Sequence, residues 1–204
     1  MAALQAEGIA CRRGERLLFA DIRFALSAGE LLLLRGPNGS GKSSLLRLIA
    51  GLLPAESGRL LWNGRDVTEQ KSDYRNALAF LGHQDSLKPQ LTLRDNLAFW
   101  ADLAGSDADL DAILARVGLS LQADLPAQYL SAGQRRRFGL ARLLLQPAPI
   151  WLLDEPTTAL DAEGVTLALG LIRQHLASGG LALVASHEAL DFPGAAILDF
   201  VRRG

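Results

Sequence analysis

The sequence predicts an α/β fold with a mainly parallel sheet. Residues 36–43 form a glycine-rich loop of the pattern G-x-x-x-x-G-K-S, and the apolar run 31–34 comes directly before it. A second apolar run, residues 150–153, ends in the acidic pair Asp154 and Glu155. Apolar runs of this length are typical of buried parallel strands, and α/β folds bind their ligands where such strands end.

The first 34 residues are predicted to be rich in β-strand. Ile22, Phe24 and Leu26 alternate with Asp21, Arg23 and Ala25, which is the period of a half-buried strand. The turn-forming sequence Ser-Ala-Gly-Glu follows and leads into the first apolar run.

A helix is predicted directly after the glycine-rich loop. It begins near Gly41 and continues to about Ile49, with Gly51 and Pro54 as stop signals. A strand, a glycine-rich loop and a helix in succession are the context that a phosphate-binding loop requires.

The middle of the chain predicts an α-helical insert at about residues 85–145. Thr92 and Asp95 resemble a capping box, apolar residues then recur at helical spacing, and a second helix is predicted over 107–117. Further strands are predicted at residues 58–62, 77–81, 181–185 and 196–200. Because no linker or repeat divides the chain, residues 1–204 are predicted to form one domain.

The composition argues against several other classes of protein. A formal net charge of −1 over 204 residues gives no basic surface, so no nucleic-acid partner is expected. The one basic run, residues 135–137, is expected on a solvated or phosphate-flanking face. Cys11 is the single cysteine, which excludes a disulfide within the chain and fits a reducing compartment. With neither a signal peptide nor an apolar run of ~20 residues, a cytoplasmic protein is expected, held at any membrane by a partner.

The glycine-rich loop predicts a site for ATP. Lys42 can neutralise β- and γ-phosphate oxygens, and the Ser43 hydroxyl can bind Mg²⁺. Backbone N–H groups and the following helix N-terminus complete a cradle for anions. The predicted cradle consists of Gly36, Pro37, Asn38, Gly39, Ser40, Gly41, Lys42, Ser43 and Ser44.

The acidic pair predicts the chemistry of hydrolysis. Asp154 ends an apolar strand, so its carboxylate is expected at the ligand-binding edge, where it binds Mg²⁺ directly or through water. Glu155 is the predicted general base that polarises water for attack on the γ-phosphate.

Residues 130–134, Leu-Ser-Ala-Gly-Gln, resemble the LSGGQ signature of ABC-type ATPases. With the phosphate-binding loop before it and the acidic strand after it, the chain resembles an ABC transporter nucleotide-binding subunit from about Leu4 to Phe200. The resemblance implies an ABC-cassette fold: a mainly parallel core sheet, an N-terminal antiparallel β subdomain and an α-helical insert.

The resemblance also implies roles for individual residues. Gln84 matches the Q-loop glutamine, which reaches Mg²⁺ and the attacking water, and His187 matches the histidine that contacts the γ-phosphate. Ser131 and Gly133 match signature residues that contact the γ-phosphate of ATP bound to the opposite subunit. Asp161 matches the D-loop, which lies at the same interface between the two subunits. One cassette is therefore expected to act as a head-to-tail dimer with a second copy of itself. 

One position departs from the pattern of the family. Arg13 stands where ABC cassettes commonly have an aromatic residue that stacks on adenine, so base selectivity is left open.

Weaker features are similar to the ATP-binding subunits of cytochrome c maturation complexes, which handle haem. These include Gly-His-Gln at residues 82–84 and Asp-Glu-Pro-Thr-Thr-Ala-Leu-Asp at residues 154–161. That resemblance implies integral membrane partners like CcmB, CcmC and CcmD at the cytoplasmic face of a bacterial inner membrane. ATP hydrolysis would release the haem-loaded periplasmic chaperone CcmE. The alternatives are an exporter ATPase with another cargo, a soluble ABC ATPase acting on DNA or ribosomes, and a nucleotide-binding module without turnover.

Overall fold

The computed structural model of the chain describes residues 3–83, 86–145, 147–188 and 190–200. In chain order its strands are β1 (Leu4–Arg13), β2 (Arg16–Leu26), β3 (Leu31–Arg35), β4 (Ser57–Trp62), β5 (Arg65–Asp66), β6 (Leu78–Leu81), β7 (Ile150–Asp154), β8 (Leu181–Ala185) and β9 (Ala196–Asp199). The α-helices are α1 (Lys42–Ile49), α2 (Lys71–Asn76), α3 (Leu93–Ala104), α4 (Leu110–Arg116), α5 (Ala132–Leu143) and α6 (Ala162–Ala177).

The chain divides into two compact units. The first consists of Met1–Phe80, Ala148–Glu155 and Gln174–Gly204, and the second of Leu81–Pro147 and Pro156–Arg173. Both sheets are built mainly from the first unit, and α3, α4 and α5 lie in the second.

A five-stranded sheet in the order β6-β7-β8-β3-β9 forms the core of the first unit. The pairings of β7 with β8, β8 with β3, and β3 with β9 are all parallel. All five residues of β7 and of β8 are buried, as their apolar sequences predict. The carboxyl ends of three neighbouring strands therefore meet at one edge of the sheet.

The N-terminal residues form a second, four-stranded sheet in the order β2-β1-β4-β5. The strands of this sheet pair antiparallel. Phe19 of β2 contacts Phe200, which follows β9, with the two rings edge to face and their centroids 5.8 Å apart. These features confirm the predicted α/β class with an antiparallel N-terminal part.

In the same unit, His175 stacks on Trp151 of β7. The two rings are 4.1 Å apart and nearly parallel, at 7°. Burial lowers the pKa of His175 below its ordinary value, and its Nε2 lies 3.1 Å from the carbonyl oxygen of Leu181. The neutral imidazole is thus part of the packing behind the sheet.

The helices of the second unit begin at side-chain caps. The Thr92 hydroxyl accepts the N–H of Asp95, and the carboxylate of Asp109 caps α4. The side chains of Leu97, Leu114 and Phe138 are fully buried where α3, α4 and α5 pack together. Among the described residues, no helix is both long and apolar enough to cross a membrane.

The structure corrects one prediction about the arginine run. Arg136 is buried and donates from Nη1 to the carbonyl oxygen of Gly82, at 2.8 Å. Successive helical residues are rotated by about 100° around the axis, so three in a row cannot share one solvated face. The run therefore does not form the expected single face.

Candidate nucleotide site

The candidate site begins where three parallel strands end together. Gly36 follows β3, Asp154 ends β7, and Ser186 follows β8. Backbone hydrogen bonds continue just beyond the strands: Glu155 N–H donates to the Ala185 carbonyl at 2.8 Å, and Ser186 N–H to the Leu34 carbonyl at 3.2 Å. The sheet thus fixes the starting point of each loop.

The phosphate-binding loop has a backbone that only glycine adopts readily. Gly36 has a φ of 143°, and a Cβ there would lie 2.4 Å from the carbonyl oxygen of Phe200. Gly41 has a φ of 112°, and a Cβ there would lie 3.1 Å from the ring of Phe19. Conformation therefore requires glycine at both positions, and close packing against backbone requires it at position 36 as well.

Lys42 and the start of α1 create a strongly positive end to this loop. The Lys42 side chain is buried, and its Nζ donates to the carbonyl oxygens of Gly36, at 2.6 Å, and Pro37, at 3.3 Å. The first-turn N–H groups of α1 have no partner earlier in the helix, and the N-cap residue Gly41 has no side chain to bind them. Such an end favours an anion.

The other predicted cradle residues lie along the same loop. Pro37, Asn38 and Gly39 are exposed, whereas Ser44 is half-buried in the first turn of α1. The Ser40 hydroxyl is buried and has no hydrogen-bond partner among the described residues. The backbone N–H of Ser40 donates to the Pro37 carbonyl, at 3.2 Å, so Ser40 would have to exchange this bond in order to bind an anion.

The Ser43 hydroxyl and the Asp154 carboxylate lie within hydrogen-bond distance of each other. The Ser43 hydroxyl donates to Oδ1 of Asp154, at 2.8 Å, and the Asp154 side chain is buried at the end of β7. Hydroxyl and carboxylate oxygens are suitable ligands for Mg²⁺. This ion usually takes only one or two ligands from the protein, and substrate phosphates and water supply the others. The described residues contain no cluster of three or more His, Cys, Asp or Glu that could hold a metal on its own.

Glu155 and His187 form a second pair at this edge. His187 Nδ1 lies 2.8 Å from Oε2 of Glu155. An ionised carboxylate only accepts, so the imidazole donates from Nδ1. Glu155 has a left-handed backbone, with φ at 53°, which is a strained conformation for a residue other than glycine. Gln84, the remaining predicted residue of this site, lies outside the residues that the structure describes.

The predicted signature residues begin α5 in the second unit. The Ser131 hydroxyl accepts the N–H of Gln134 at 3.1 Å, and the Gln134 side chain accepts the N–H of Ser131 at 2.9 Å. This capping box was not predicted from the sequence, although Ser and Gln three residues apart are its usual sign. The hydroxyl hydrogen of Ser131 remains available to donate to an anion.

An open cleft of about 540 Å³ surrounds the start of α5. Its lining includes Ser131, Gly133, Arg137, Ala159 and Asp161. A Cβ at position 133 would lie 2.8 Å from the carbonyl oxygen of Ala159, so the glycine permits a close approach of two backbones. The predicted signature and D-loop residues therefore lie side by side in this unit.

Asp161 also has partners within its own unit. Its Oδ1 accepts the backbone N–H of Gly164 and the Nη2 of Arg137, each at 2.8 Å. These two hydrogen bonds lower the pKa of Asp161, with the Gly164 N–H as the larger cause. Sequence reasoning did not find the contact with Arg137, because nothing in the pattern pairs residues that are 24 positions apart.

Comparisons with known proteins agree on one family. Residues 19–158 match the ABC transporter family. The chain is 49% identical over 193 residues to the cytochrome c biogenesis ATP-binding export protein CcmA of Rhodospirillum rubrum, covering 94% of this chain and 83% of that protein. It is 47% identical to the CcmA protein of Methylococcus capsulatus, covering 95% of each chain.

Solved structures agree with this assignment. An ABC transporter ATP-binding protein from Pyrococcus furiosus has a TM-score of 0.83 at 24% identity, covering 97% of this chain and 96% of that chain, which supports the fold alone. A bacterial Atm1-family ABC exporter with ATP bound has a TM-score of 0.79 at 26% identity, covering 92% of this chain and 34% of that chain.

Proposed function

The chain belongs to the ABC transporter family, among the cytochrome c biogenesis ATP-binding export proteins, and we propose that its ATP hydrolysis powers haem handling during cytochrome c assembly. It is an ATP-binding and ATP-hydrolysing subunit of an ABC system. The observation that supports ATP hydrolysis is the convergence of Lys42, the Ser43–Asp154 pair and the Glu155–His187 pair at one sheet edge. The proposed role in haem handling is supported by the similarity to the CcmA proteins.

In the proposed mechanism the phosphate-binding loop holds the triphosphate of ATP. Lys42 exchanges its loop carbonyl partners for phosphate oxygens, and the first-turn N–H groups of α1 donate to the same group. These contacts exist in both the ground state and the transition state, so they contribute to binding as well as to turnover.

Ser43 and Asp154 would hold Mg²⁺ beside the phosphates. The fit of this oxygen pair supports the proposed Mg²⁺ dependence. When bound, the ion supplies positive charge that neutralises β- and γ-phosphate oxygens.

Glu155 is the proposed general base. Its carboxylate accepts a proton from a water molecule as the water oxygen attacks the γ-phosphorus; the bond from that phosphorus to the β–γ bridging oxygen breaks, and ADP leaves. His187 Nδ1 donates to Oε2 of this carboxylate and so orients it. When the imidazole also carries a proton on Nε2, that second N–H can donate to a γ-phosphate oxygen. Gln84 is proposed to reach the water and Mg²⁺ on family resemblance.

Ser131, Gly133 and Asp161 are proposed to act on ATP that is bound to a second copy of the chain. Support comes from their shared cleft, where a capped helix N-terminus presents donors suited to phosphate oxygens. The active form would then be a head-to-tail dimer with two ATP molecules between the copies.

Membrane partners are part of the proposal. As an ABC subunit the chain works with membrane components; we propose that these resemble CcmB, CcmC and CcmD and that the chaperone CcmE is the functional target. The chain would lie at the cytoplasmic face of the bacterial inner membrane, held there by these subunits. No nucleic-acid partner is proposed.

The catalytic proposal is tested with Glu155→Gln. We expect ATP affinity to survive and phosphate release to fall by about a hundredfold or more, because the amide cannot accept the proton from water. Glu69→Gln, an exposed glutamate of the first unit, is the matched control. ATP affinity and steady-state phosphate release are measured separately, with and without Mg²⁺. Normal turnover of Glu155→Gln would remove this residue from the role of base.

The biological proposal is tested in a bacterium that lacks its own cytochrome c maturation ATPase. We expect the wild-type chain to restore covalent haem in c-type cytochromes, and Glu155→Gln to leave haem-loaded chaperone without mature cytochrome. Haem staining after denaturing electrophoresis reports both species. If the wild-type chain assembles with the membrane subunits and hydrolyses ATP without restoring cytochromes, the cargo is a different one.

A further inference from the structure

We propose that Arg137 is a positioning residue that holds the loop of residues 159–161 against the start of α5. The two segments would then meet ATP on a partner copy as one preassembled surface. This inference rests on the head-to-tail dimer proposed above. It concerns the second unit only, in which all of these residues lie.

The burial of the ion pair is asymmetric. The Arg137 side chain is only 12% exposed, whereas that of Asp161 is 69% exposed. The guanidinium is therefore largely removed from solvent, and it adds a restraint to an exposed carboxylate that also accepts the N–H of Gly164. An arginine fixed in this way loses little side-chain entropy when it forms the bond.

The loop is held to α5 at two points rather than one. Besides the bond from Arg137 to Asp161, the Ala159 carbonyl lies against Gly133, close enough that a Cβ there would be 2.8 Å away. Gly133 and Arg137 are four residues apart, so they lie on the same face of the helix. Ala159 itself has a left-handed φ of 66°, which the two contacts help to maintain.

The absence of a side chain at position 118 leaves room for the guanidinium. Gly118, which follows α4, has a φ of 70°, and a Cβ there would lie 2.8 Å from Nη1 of Arg137. Gly118 also lines the cleft. A side chain at position 118 would therefore displace the guanidinium from its place beside Asp161.

Asp161 transmits the restraint to α6. The same Oδ1 that accepts from Arg137 accepts the first-turn N–H of Gly164, so one carboxylate oxygen joins two helices. Without Arg137, we expect Asp161 to keep its capping bond while the loop before it loosens. A purely structural ion pair would change stability but not the behaviour of the cleft toward ATP.

The first test measures amide hydrogen exchange of the nucleotide-free protein. In Arg137→Met we expect exchange across residues 157–161 to rise by about fivefold or more, while exchange in α4 stays unchanged. Arg94→Met is the control for loss of an arginine ion pair, because Arg94 pairs at the surface of the same unit with Asp111 and with Asp124, the latter with Nε 3.1 Å from Oδ1. Unchanged exchange across residues 157–161 overturns the inference, whatever the function of the chain.

The second test measures ATP-driven dimerisation by sedimentation in the Glu155→Gln background. Adding Arg137→Met should weaken the dimer by about fivefold to tenfold, while ATP affinity of the monomer stays unchanged. Arg137→Lys should restore part of the loss, since it keeps the charge, and Arg94→Met should have no effect. In the otherwise wild-type protein at saturating ATP, the protein concentration for half-maximal turnover should rise.

The outcomes separate the inference from the function on which it rests. If Glu155→Gln itself does not dimerise with ATP, the trans site and this inference both fail. If it dimerises and Arg137→Met dimerises equally well, only the inference fails. A drop in melting temperature without any change in dimer affinity likewise reduces Arg137 to a structural role and overturns the inference.

Discussion

Gly133 gives the sharpest test of the close approach between α5 and the loop before α6. Replacing a helical glycine by alanine normally stabilises a protein by about 0.5–1 kcal/mol, because alanine is the better helix former. Gly170, in the middle of α6, has nothing within 4 Å of a built Cβ, so Gly170→Ala should give this gain in full. Gly133→Ala adds the same methyl group, but at this position the new Cβ would lie too close to the Ala159 carbonyl oxygen.

The expected cost follows from the contact distance. The new Cβ would lie 2.8 Å from that oxygen, whereas ordinary contact begins at 3.4 Å. The neighbouring atom belongs to backbone, so relief requires a shift of the loop, which costs about 1–3 kcal/mol. Because backbone must move, we expect a cost in the upper part of that range, about 2–3 kcal/mol, and the two variants should differ by this amount. After the gain in helix propensity, Gly133→Ala should destabilise by about 1–2.5 kcal/mol.

Thermal and urea denaturation check this difference. For a chain of this size, about 1 kcal/mol corresponds to about 2–4 °C in Tm, so the two variants should move Tm in opposite directions. ATP turnover of Gly133→Ala should also fall, whereas that of Gly170→Ala should be retained. If both variants raise Tm equally, the Ala159 carbonyl does not lie this close to Gly133, and the loop keeps only the Arg137–Asp161 bond of its two described contacts with α5.

Three further predictions concern the first unit. Lys42→Ala should weaken ATP binding by about tenfold or more and also reduce turnover, because the phosphates lose a positively charged partner. The control Lys71→Ala, at an exposed lysine, should bind ATP normally. Equal ATP affinities of the two variants in titration calorimetry would contradict the assignment of Lys42 to the phosphates. Ser40→Ala should leave the free energy of unfolding unchanged or raise it by up to about 1 kcal/mol, because it removes a buried hydroxyl without a partner among the described residues. A clearly lower free energy of unfolding in urea denaturation would refute this. The free energy of unfolding should fall as pH drops below 6.5, because burial lowers the pKa of His175 and the unfolded chain then binds the proton more readily. His175→Phe should flatten that dependence, and an unchanged pH profile would exclude His175 as its cause.

The sequence predicted best those elements whose signals extend over only a few neighbouring residues. The phosphate-binding loop, the strand before it and α1 were all predicted, because glycines, apolar runs and helical spacing act over a few residues. The strands that end in Asp154 and at Ala185 were predicted for the same reason. Their convergence followed from the parallel sheet, which brings strand ends to one edge.

Other features depend on tertiary packing and were missed. Helix α6 was not predicted, and its sequence contains Gly164, Gly170 and β-branched residues that weaken helix propensity. Its N-cap bond comes from Asp161, whose second partner Arg137 lies far away in sequence. The stack of His175 on Trp151 likewise joins residues that no local pattern relates.

The left-handed backbone of Glu155 has a consequence for protein engineering. Glycine would adopt this conformation without strain, and asparagine at lower cost than glutamate, so replacements by either are expected to relieve about 1 kcal/mol. A directed-evolution campaign that selected only for heat resistance would therefore favour the loss of the proposed base at this position. Thermostable variants of this ATPase should be sorted by phosphate release before they are sorted by melting temperature.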